Sequence, residues 1–397
     1  MMNLGSRRGS CGRHDRTLCA CGRGRWSAGA GAVALLFLAL PWPVLAQSEA
    51  VPDDLAKMEN LPPVVENGKL VAVPVPISNP TVGTGLAAGV GYLFNLDPES
   101  KASMIGGAGV RTDNGTWGGG VATSLYLKEN TWQVKVGAAY FDAKLKFYGI
   151  GGAAGDPDIA LPINQTGWVA GFQVLRKVYG PINAGVQGWY LKMRTSFDLG
   201  DVVPGAPEIP PAEADSSTAG VGLVGTFDTR DIPMNPKGGT LVSLAASYAP
   251  EGLGSLRTYE KYIFSYNRYV ALADRQVLAI RVAGCATPGE PPFYALCLLG
   301  KPSDLRGYEV GQYRDKAMLT AQAEWRWTFY KRFGLVAFAG TGQVAPALSD
   351  LRRDAWLPGF GGGVRYMLTE EYRLNVGLDY ARGKDSDAVY FVVGEAF

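Results

Sequence analysis

Histidine is nearly absent from this chain, whose 397 residues include only His14. That residue lies in an arginine-rich leader together with Cys11, Cys19 and Cys21. A mature protein without histidine cannot be a Ser-His-Asp hydrolase, a Cys-His protease or an Asp-His protease. A carboxylate pair of the glycosidase type stays open, but no pattern indicates one. We therefore predict no enzyme and no cofactor, and the irregular Cys and His spacing in the leader argues against a metal site.

Long apolar runs are also scarce. The one long run, residues 28–40, follows six arginines, is ended by Pro41 and Pro43 and leads to the small residue Ala46. A basic segment, an apolar stretch and a small residue in this order are typical of a secretory signal peptide. The alternative, a membrane anchor, needs about 20 apolar residues. We predict that residues 1–46 are a signal peptide cleaved before Gln47.

Neither sign of charge predominates. The chain has 38 basic and 36 acidic residues, and removing the six Arg and one Asp of residues 1–46 leaves 32 against 35, a net charge of −3. No basic surface for nucleic acid remains. With 19% charged residues, the chain is too polar for helical membrane spans. It suits a barrel in which only every second strand residue faces lipid.

Residues 317–329 alternate strictly between apolar and polar side chains. One face carries Trp325 and Trp327, and the other carries Glu324 and Arg326. Period-two alternation marks a strand with one apolar and one polar face. The run is long enough for a tilted membrane strand, which needs about 9–11 residues. The sequence therefore predicts a membrane-spanning strand with its apolar face toward lipid.

Strand patterns of this kind recur about sixteen times, joined by connections that alternate between short and long, as in outer-membrane barrels. We predict an all-β transmembrane antiparallel barrel over residues 68–397, in the Gram-negative outer membrane, after a short periplasmic tail at residues 47–67. A soluble barrel is the alternative, and it would bury the same apolar faces inward. The predicted strands are residues 69–77, 85–94, 102–111, 117–127, 132–148, 167–179, 182–197, 219–228, 240–248, 259–271, 276–284, 317–330, 333–343, 359–368, 373–381 and 388–397.

Three motifs lie in the second half of the chain. Arg306, Gly307 and Tyr308 form an Arg-Gly-aromatic motif in the longest connection, residues 228–239 form a long turn, and residues 361–397 form a closing pair of strands. Their order and spacing resemble the outer-membrane assembly and translocation barrel superfamily. This superfamily, also called the bacterial surface antigens, includes the BamA and TamA insertases and the two-partner secretion translocases.

The resemblance implies that Arg306 folds into the lumen and pairs with a carboxylate, since a guanidinium there needs a planar acceptor. The acidic position of the family corresponds to Gly340 in this chain. Glu324 and Asp379, on polar faces of predicted strands, are our candidate partners. In the alternative, Arg306 caps a solvated loop, where its contacts would contribute little.

The long turn contains acidic residues that can fix it through bonds from side chain to backbone, or alternatively bind a cation. We favour the first interpretation and expect this turn on the periplasmic side. Its candidate residues are Asp228, Arg230, Asp231, Pro236 and Gly238.

The last predicted strand has Phe391, Val393 and Phe397 on one face. A closing aromatic residue with alternating apolar residues before it resembles the assembly signal of outer-membrane barrels. Glu395 lies on the same face and departs from that pattern. The resemblance implies recognition by the barrel-assembly machinery during biogenesis.

Cys285 and Cys297 bracket a proline-rich stretch at the start of the longest connection. In an oxidising compartment, cysteines this close in sequence are expected to form a disulfide. The alternative is a pair of free thiols.

The resemblance also limits the functions that we expect for this chain. Members that insert or export proteins usually carry repeated periplasmic docking domains, whereas this chain has a short tail, so we expect a barrel-only member. We expect it to aid insertion or translocation of proteins or lipids, with opening at the seam between the first and last strands. A passive diffusion pore, or a structural barrel that docks a separate partner, is the alternative. The expected partners are outer-membrane lipid and an unidentified secreted or periplasmic protein.

Overall fold

The predicted barrel domain folds as a large antiparallel sheet. The computed structural model describes residues 68–155, 158, 160–197, 214–233, 235–369 and 373–397. The predicted signal peptide and periplasmic tail lie outside these residues. Within them, no helix has the length and apolar character needed to cross a membrane.

Sixteen strands form one continuous antiparallel sheet, and two short strands pair separately. This confirms the predicted fold class. The strands of the large sheet are β1 Lys69–Asn79, β2 Gly83–Phe94, β3 Ser103–Thr112, β4 Trp117–Leu127, β5 Trp132–Phe147, β6 Leu161–Tyr179, β7 Ile182–Phe197, β8 Asp215–Asp228, β9 Gly239–Ala249, β10 Tyr259–Ala273, β11 Gln276–Ala286, β14 Ala317–Tyr330, β15 Phe333–Ala345, β16 Leu357–Thr369, β17 Leu374–Arg382 and β18 Asp387–Val393, and the separate pair is β12 Cys297–Leu298 with β13 Arg314–Asp315.

Each strand of the sheet pairs with its neighbour in sequence, except that β11 pairs with β14. The strands β12 and β13 lie between them, in a long connection that we call the inner loop (residues 287–316). We call the end of the barrel from which this loop enters the long-loop end, and the opposite end the short-turn end.

The sheet curls until its first and last strands lie side by side. The Ser78 hydroxyl of β1 donates a hydrogen bond of 3.4 Å to the Val389 carbonyl of β18. Phe391 and Val393 of β18 pack against a buried cluster that includes Val75 and Ile77 of β1. Across the described strands, however, no main-chain ladder joins β1 to β18. We call this unpaired boundary the seam.

The wall of the barrel is apolar outside and polar inside. Trp168 and Leu223 face outward and are 60% and 67% exposed, whereas Gln165 and Glu324 face inward and are 1% and 0% exposed. A soluble barrel would show the opposite arrangement, because its apolar faces would form the core. The structure therefore favours a wall that faces hydrocarbon.

Aromatic residues cluster on the outer wall near both ends. Near the long-loop end, the rings of Tyr140 and Trp168 are 4.9 Å apart. Near the short-turn end, the rings of Trp325 and Trp327 are 5.7 Å apart. Aromatic girdles at two levels are typical of membrane barrels, where amphipathic rings lie at the lipid headgroups.

Some strands start earlier than the sequence predicted, and β6 does so by the most residues. Strand β6 begins at Leu161 rather than at residue 167, and Leu161 pairs with Phe147 at the end of β5. Ile163 is 4% exposed and packs in a cluster inside the barrel. This packing stabilises the extension of the strand, although the segment contains proline and amide residues.

The inner loop fills the lumen at the long-loop end. Phe293 and Tyr294 are each 2% exposed, and Phe293 meets the ring of Phe147 edge to face at 5.4 Å. The Tyr294 and Thr218 hydroxyls are 3.1 Å apart. These contacts fix one arm of the loop against the wall formed by β5 and β8, and leave the Arg-Gly-Tyr motif on the opposite side of the lumen.

Candidate functional site

The base of the inner loop is held by a disulfide and a short ladder. The sulfur atoms of Cys285 and Cys297 are 1.99 Å apart, so the structure contains a disulfide between these two residues, as expected from the sequence. The Leu299 amide donates to the Tyr313 carbonyl at 3.0 Å. The loop therefore enters the lumen as a narrow hairpin with a fixed base.

Arg306 lies inside the lumen and is 0% exposed. Its Nη2 atom is 2.5 Å from Glu324 Oε2, and its Nη1 atom is 2.7 Å from Asp379 Oδ2. Both carboxylates considered as partners thus contact the guanidinium. The ring of Phe338 covers it, with 3.4 Å from the ring centroid to Cζ of Arg306. An arginine that capped a solvated loop would be exposed, so the burial of Arg306 argues against that alternative.

The structure explains why glycine stands at position 340. A Cβ atom built there would lie 2.6 Å from the Ala321 carbonyl oxygen and 3.0 Å from Cδ1 of Leu305. The backbone of β14 and Leu305 of the inner loop together lie too close for a side chain at this position. The carboxylates that Arg306 needs are instead supplied by β14 and β17.

Gly307 presses against the last two strands. Its φ is +107°, and a Cβ atom would lie 2.7 Å from the Gly383 nitrogen. Its amide donates to the Tyr390 hydroxyl at 3.0 Å, and its carbonyl accepts from the Ser386 hydroxyl at 2.6 Å. Glycine is required here because the backbone is both left-handed and in close contact with the β17–β18 connection.

Tyr308 extends the contact to neighbouring segments. Its hydroxyl donates to the Pro358 carbonyl at 2.5 Å and accepts from the Lys384 amide at 2.8 Å. Burial raises the pKa of Tyr308 to about 12. Burial thus favours the neutral phenol, which can donate and accept at the same time.

The same segment also reaches the first hairpin. The Val310 amide donates to the Thr81 hydroxyl at 2.8 Å, and Thr81 lies between β1 and β2. Residues 306–310 thus bond to β17 and β18 on one side of the seam and to the β1–β2 connection on the other. This segment bridges the seam from inside the barrel.

The charged cluster around Arg306 is larger than the sequence suggested. Nε of Arg326 is 2.7 Å from Glu324 Oε1, Arg365 forms an ion pair with Asp379, and Nε of Arg365 is 3.0 Å from Glu395 Oε2. The position of Arg326, two residues from Glu324 on the same polar face, was a signal that could have identified it. Arg365 gave no local signal, because its partners lie on other segments, whereas Glu395 was marked by its place on an otherwise apolar face.

The predicted position of Phe397 is wrong. The sequence placed Phe397 on a lipid-facing strand with Phe391 and Val393, but β18 ends at Val393 and Phe397 is 4% exposed inside the barrel. Gly394 turns the chain with a φ of +77°. The inward course gives Glu395 charged partners that a lipid-facing strand could not offer.

The long turn after β8 is fixed by its acidic residues. Asp228 pairs with Arg230 at 2.8 Å, and Asp231 accepts from the Lys237 amide at 2.9 Å. Nη1 of Arg373 is 2.8 Å from Asp231 Oδ2, which links this turn to the one between β16 and β17. Partial burial opposes the charge of Asp231, but Arg373 and main-chain amides outweigh it and lower its pKa.

The two remaining turn residues have lesser contacts. Pro236 is buried, and the Gly238 amide donates to Asp231 at 3.4 Å. As for the cation alternative, the described residues contain no group of three or more His, Cys, Asp or Glu side chains that could hold a metal.

These features define a class of protein, an antiparallel barrel whose longest loop folds inward and is held by an arginine between two carboxylates. Residues 114–397, more than half of the chain, match the Omp85 superfamily domain. The chain belongs to the Omp85 superfamily, whose barrels are outer-membrane proteins of assembly and translocation.

Solved structures show the same fold at low sequence identity. BamA from Haemophilus ducreyi, lacking POTRA domains 1–3, is 13% identical, with a TM-score of 0.55 over 90% of this chain and 82% of that one. CdiB from Acinetobacter baumannii is 11% identical, with a TM-score of 0.53 over 82% of this chain and 59% of that one. CdiB from Escherichia coli is 13% identical, with a TM-score of 0.55 over 82% and 62%. This chain therefore spans less than two thirds of either CdiB chain. No curated protein matches the sequence.

Proposed function

We propose that this protein aids the insertion or translocation of polypeptides at the outer membrane of a Gram-negative cell, by opening at the seam under control of the inner loop. The observation that carries the proposal is the bridge made by residues 306–310 across an unpaired strand boundary. A seam without a main-chain ladder can open without breaking a row of backbone hydrogen bonds, which are costly to lose in hydrocarbon.

The composition of β1 supports an unpaired seam. This strand contains Pro74 and Pro76, opposite Ala88 and Leu86 of β2. Proline has no amide proton, so strand prolines belong at an edge, with the missing donor directed away from the paired neighbour. The two prolines therefore weaken any ladder between β1 and β18.

The filled lumen argues against a passive pore. Phe293 and Tyr294 of the inner loop are buried at the long-loop end. A polar cavity of about 460 Å³ lies toward the short-turn end, lined among others by Gln133, Lys135 and Arg230. An open diffusion channel needs a continuous wet path, whereas this lumen holds packed aromatic side chains at one end.

The proposal implies three kinds of partner. The apolar wall fits outer-membrane lipid, the chain would use the barrel-assembly machinery for its own biogenesis, and the cargo would be a secreted or periplasmic polypeptide encoded separately. We propose no catalytic step.

Reconstitution in liposomes tests the proposal. The purified protein should accelerate the folding of a small urea-denatured barrel protein into the same vesicles. The variant Arg306→Ala should lose this acceleration, because the proposal requires the inner loop to be held in place for controlled opening of the seam. Arg352→Ala should keep it, because the Arg352–Asp354 pair is exposed. If the wild-type protein leaves the rate unchanged, the insertase form of the proposal fails.

Planar-bilayer recording distinguishes the proposed function from a passive pore. The inner loop should keep the conductance of the wild-type protein low. A large and steady conductance in the wild-type protein would instead support a diffusion channel.

A further inference from the structure

The chain turns into the lumen after β18. Gly394 has a φ of +77°, and its amide donates to the Asn375 carbonyl at 2.8 Å. Glu395 and Phe397 follow and are 2% and 4% exposed. The last strand is therefore continued by a buried segment, residues 394–397, which runs along the inner wall.

Glu395 is bound on several sides. Nδ2 of Asn375 lies 2.5 Å from its Oε1, and Nε of Arg365 lies 3.0 Å from its Oε2. Nε of Arg326 is 3.9 Å from the same Oε2 atom. A buried carboxylate needs such partners, because removing its charge from water is costly.

Phe397 reaches the far side of the inner wall. It packs against Tyr269 of β10 and Ala279 of β11. Nη2 of Arg326 donates to a main-chain oxygen of Phe397 at 2.7 Å, and the guanidinium is 5.6 Å from the centroid of its ring. The segment thus ties β18 to strands that lie well away from it in the sheet.

Two routes of contact connect this segment to the inner loop. One runs from Arg306 through Glu324 and Arg326 to Phe397. The other runs from Arg306 through Asp379 and Arg365 to Glu395. The guanidinium and carboxylate groups alternate along both routes.

We infer that residues 394–397 anchor the end of β18 to the inner wall of the barrel, and we call this segment the internal clasp. When the clasp leaves the wall, the inner loop is released as well. If Glu395 leaves, Arg365 loses that ion pair, interacts more strongly with Asp379 and draws it away from Arg306. The loop is then held less firmly at the seam. The same coupling works in reverse, since free-energy coupling between two sites is reciprocal.

The clasp is a property of the resting barrel, so its test does not depend on transport. Hydrogen exchange read by mass spectrometry should be compared for the full-length protein and Glu395→Gln in detergent. Main-chain amides of β18 and of residues 305–310 should both exchange about tenfold faster in the variant, a size typical of coupled contacts. Val389→Ala, on the outer face of β18, should leave the loop amides unchanged.

Phe397→Leu gives a milder second test, because it keeps the charges and removes the ring beside Arg326. It should accelerate exchange in the same two segments, to a smaller extent. If either variant accelerates β18 while residues 305–310 keep the wild-type rate, the clasp does not control the loop.

A double variant tests the coupling itself. Arg306→Lys and Glu395→Gln act on residues linked through Asp379 and Arg365, so their combined effect on the logarithm of the loop exchange rate should differ from the sum of the single effects. Strict additivity would contradict the inference.

Discussion

Arg306 of the inner loop and Asp379 of β17 are 73 residues apart in the sequence, and their side chains meet at 2.7 Å inside the barrel. Both are fully buried. Burying an ion pair costs desolvation free energy, so a buried pair adds little net stability to the fold. Its effect here is to fix the position of the inner loop across the seam.

The first prediction concerns this buried pair. Arg306→Ala should lower the free energy of unfolding by about 3–5 kcal/mol, because it leaves Glu324 and Asp379 without their shared cation. Glu324→Gln should act in the same direction. Urea unfolding followed by tryptophan fluorescence in lipid vesicles measures both.

An exposed ion pair supplies the control for that measurement. Arg194 and Asp215 are paired at 2.9 Å with side chains 72% and 57% exposed. Arg194→Ala should therefore change stability little. If Arg306→Ala behaves like Arg194→Ala, the buried pair does not hold the loop.

The second prediction concerns Gly307. Gly307→Ala should loosen the inner loop, because the new methyl group meets Gly383 and the backbone has a positive φ. Limited proteolysis of the folded protein should cut the loop faster in this variant. Gly252→Ala is the matched control, since nothing lies within 4 Å of its added Cβ. Equal protection of both variants would show that the close contact at Gly307 is unimportant.

The strand pattern was largely predictable from the sequence, because alternation is local. Each strand of the large sheet overlaps a predicted one, and the polar face of β14 carrying Glu324 and Arg326 faces inward as expected. The family resemblance implies a carboxylate partner for Arg306, and the polar faces of the predicted strands point to Glu324 and Asp379 as that partner.

The inward turn at Gly394 was not predictable in this way. The alternation of Phe391, Val393 and Phe397 fits a continued strand, and the reason for the turn lies elsewhere in the sheet. Arg326 and Arg365 bind the segment after β18, and sheet register brings them there. Glu395, which did not fit the apolar face, was the local sign of that departure.

The third prediction concerns Cys285 and Cys297. Without reductant, a thiol reagent should add no mass at these residues in the purified protein. Replacing both with serine should lower the unfolding free energy by about 3 kcal/mol, from the greater freedom of the unfolded loop. Labelling before reduction would mean that the disulfide is absent from the folded protein.

The fourth prediction concerns the pH dependence of the long turn. The pKa of Asp231 is lowered in the folded protein, so its ion pair with Arg373 stabilises the turn above the unfolded pKa, which is about 3.9. That contribution is lost as the pH falls through the folded pKa. Cleavage of the turn by pepsin should therefore increase as the pH is lowered below about 4.

Asp231→Asn separates this effect from the pH dependence of the protease. The turn of this variant should be cut readily throughout the range, with no added increase at low pH. If the wild-type turn and the variant turn show the same profile, the Asp231–Arg373 pair does not hold the turn.

The central claim is that the seam between β1 and β18 must open. A short thiol cross-linker between Ser78→Cys and Val389→Cys would close it, since the Ser78 hydroxyl is 3.4 Å from the Val389 carbonyl. The same cross-linker between Thr226→Cys and Ser243→Cys, which face each other on the paired strands β8 and β9, is the matched control. Vesicle insertion of a denatured barrel protein should stop with the seam closed and continue in the control. Equal insertion rates with the seam closed and open would contradict the account.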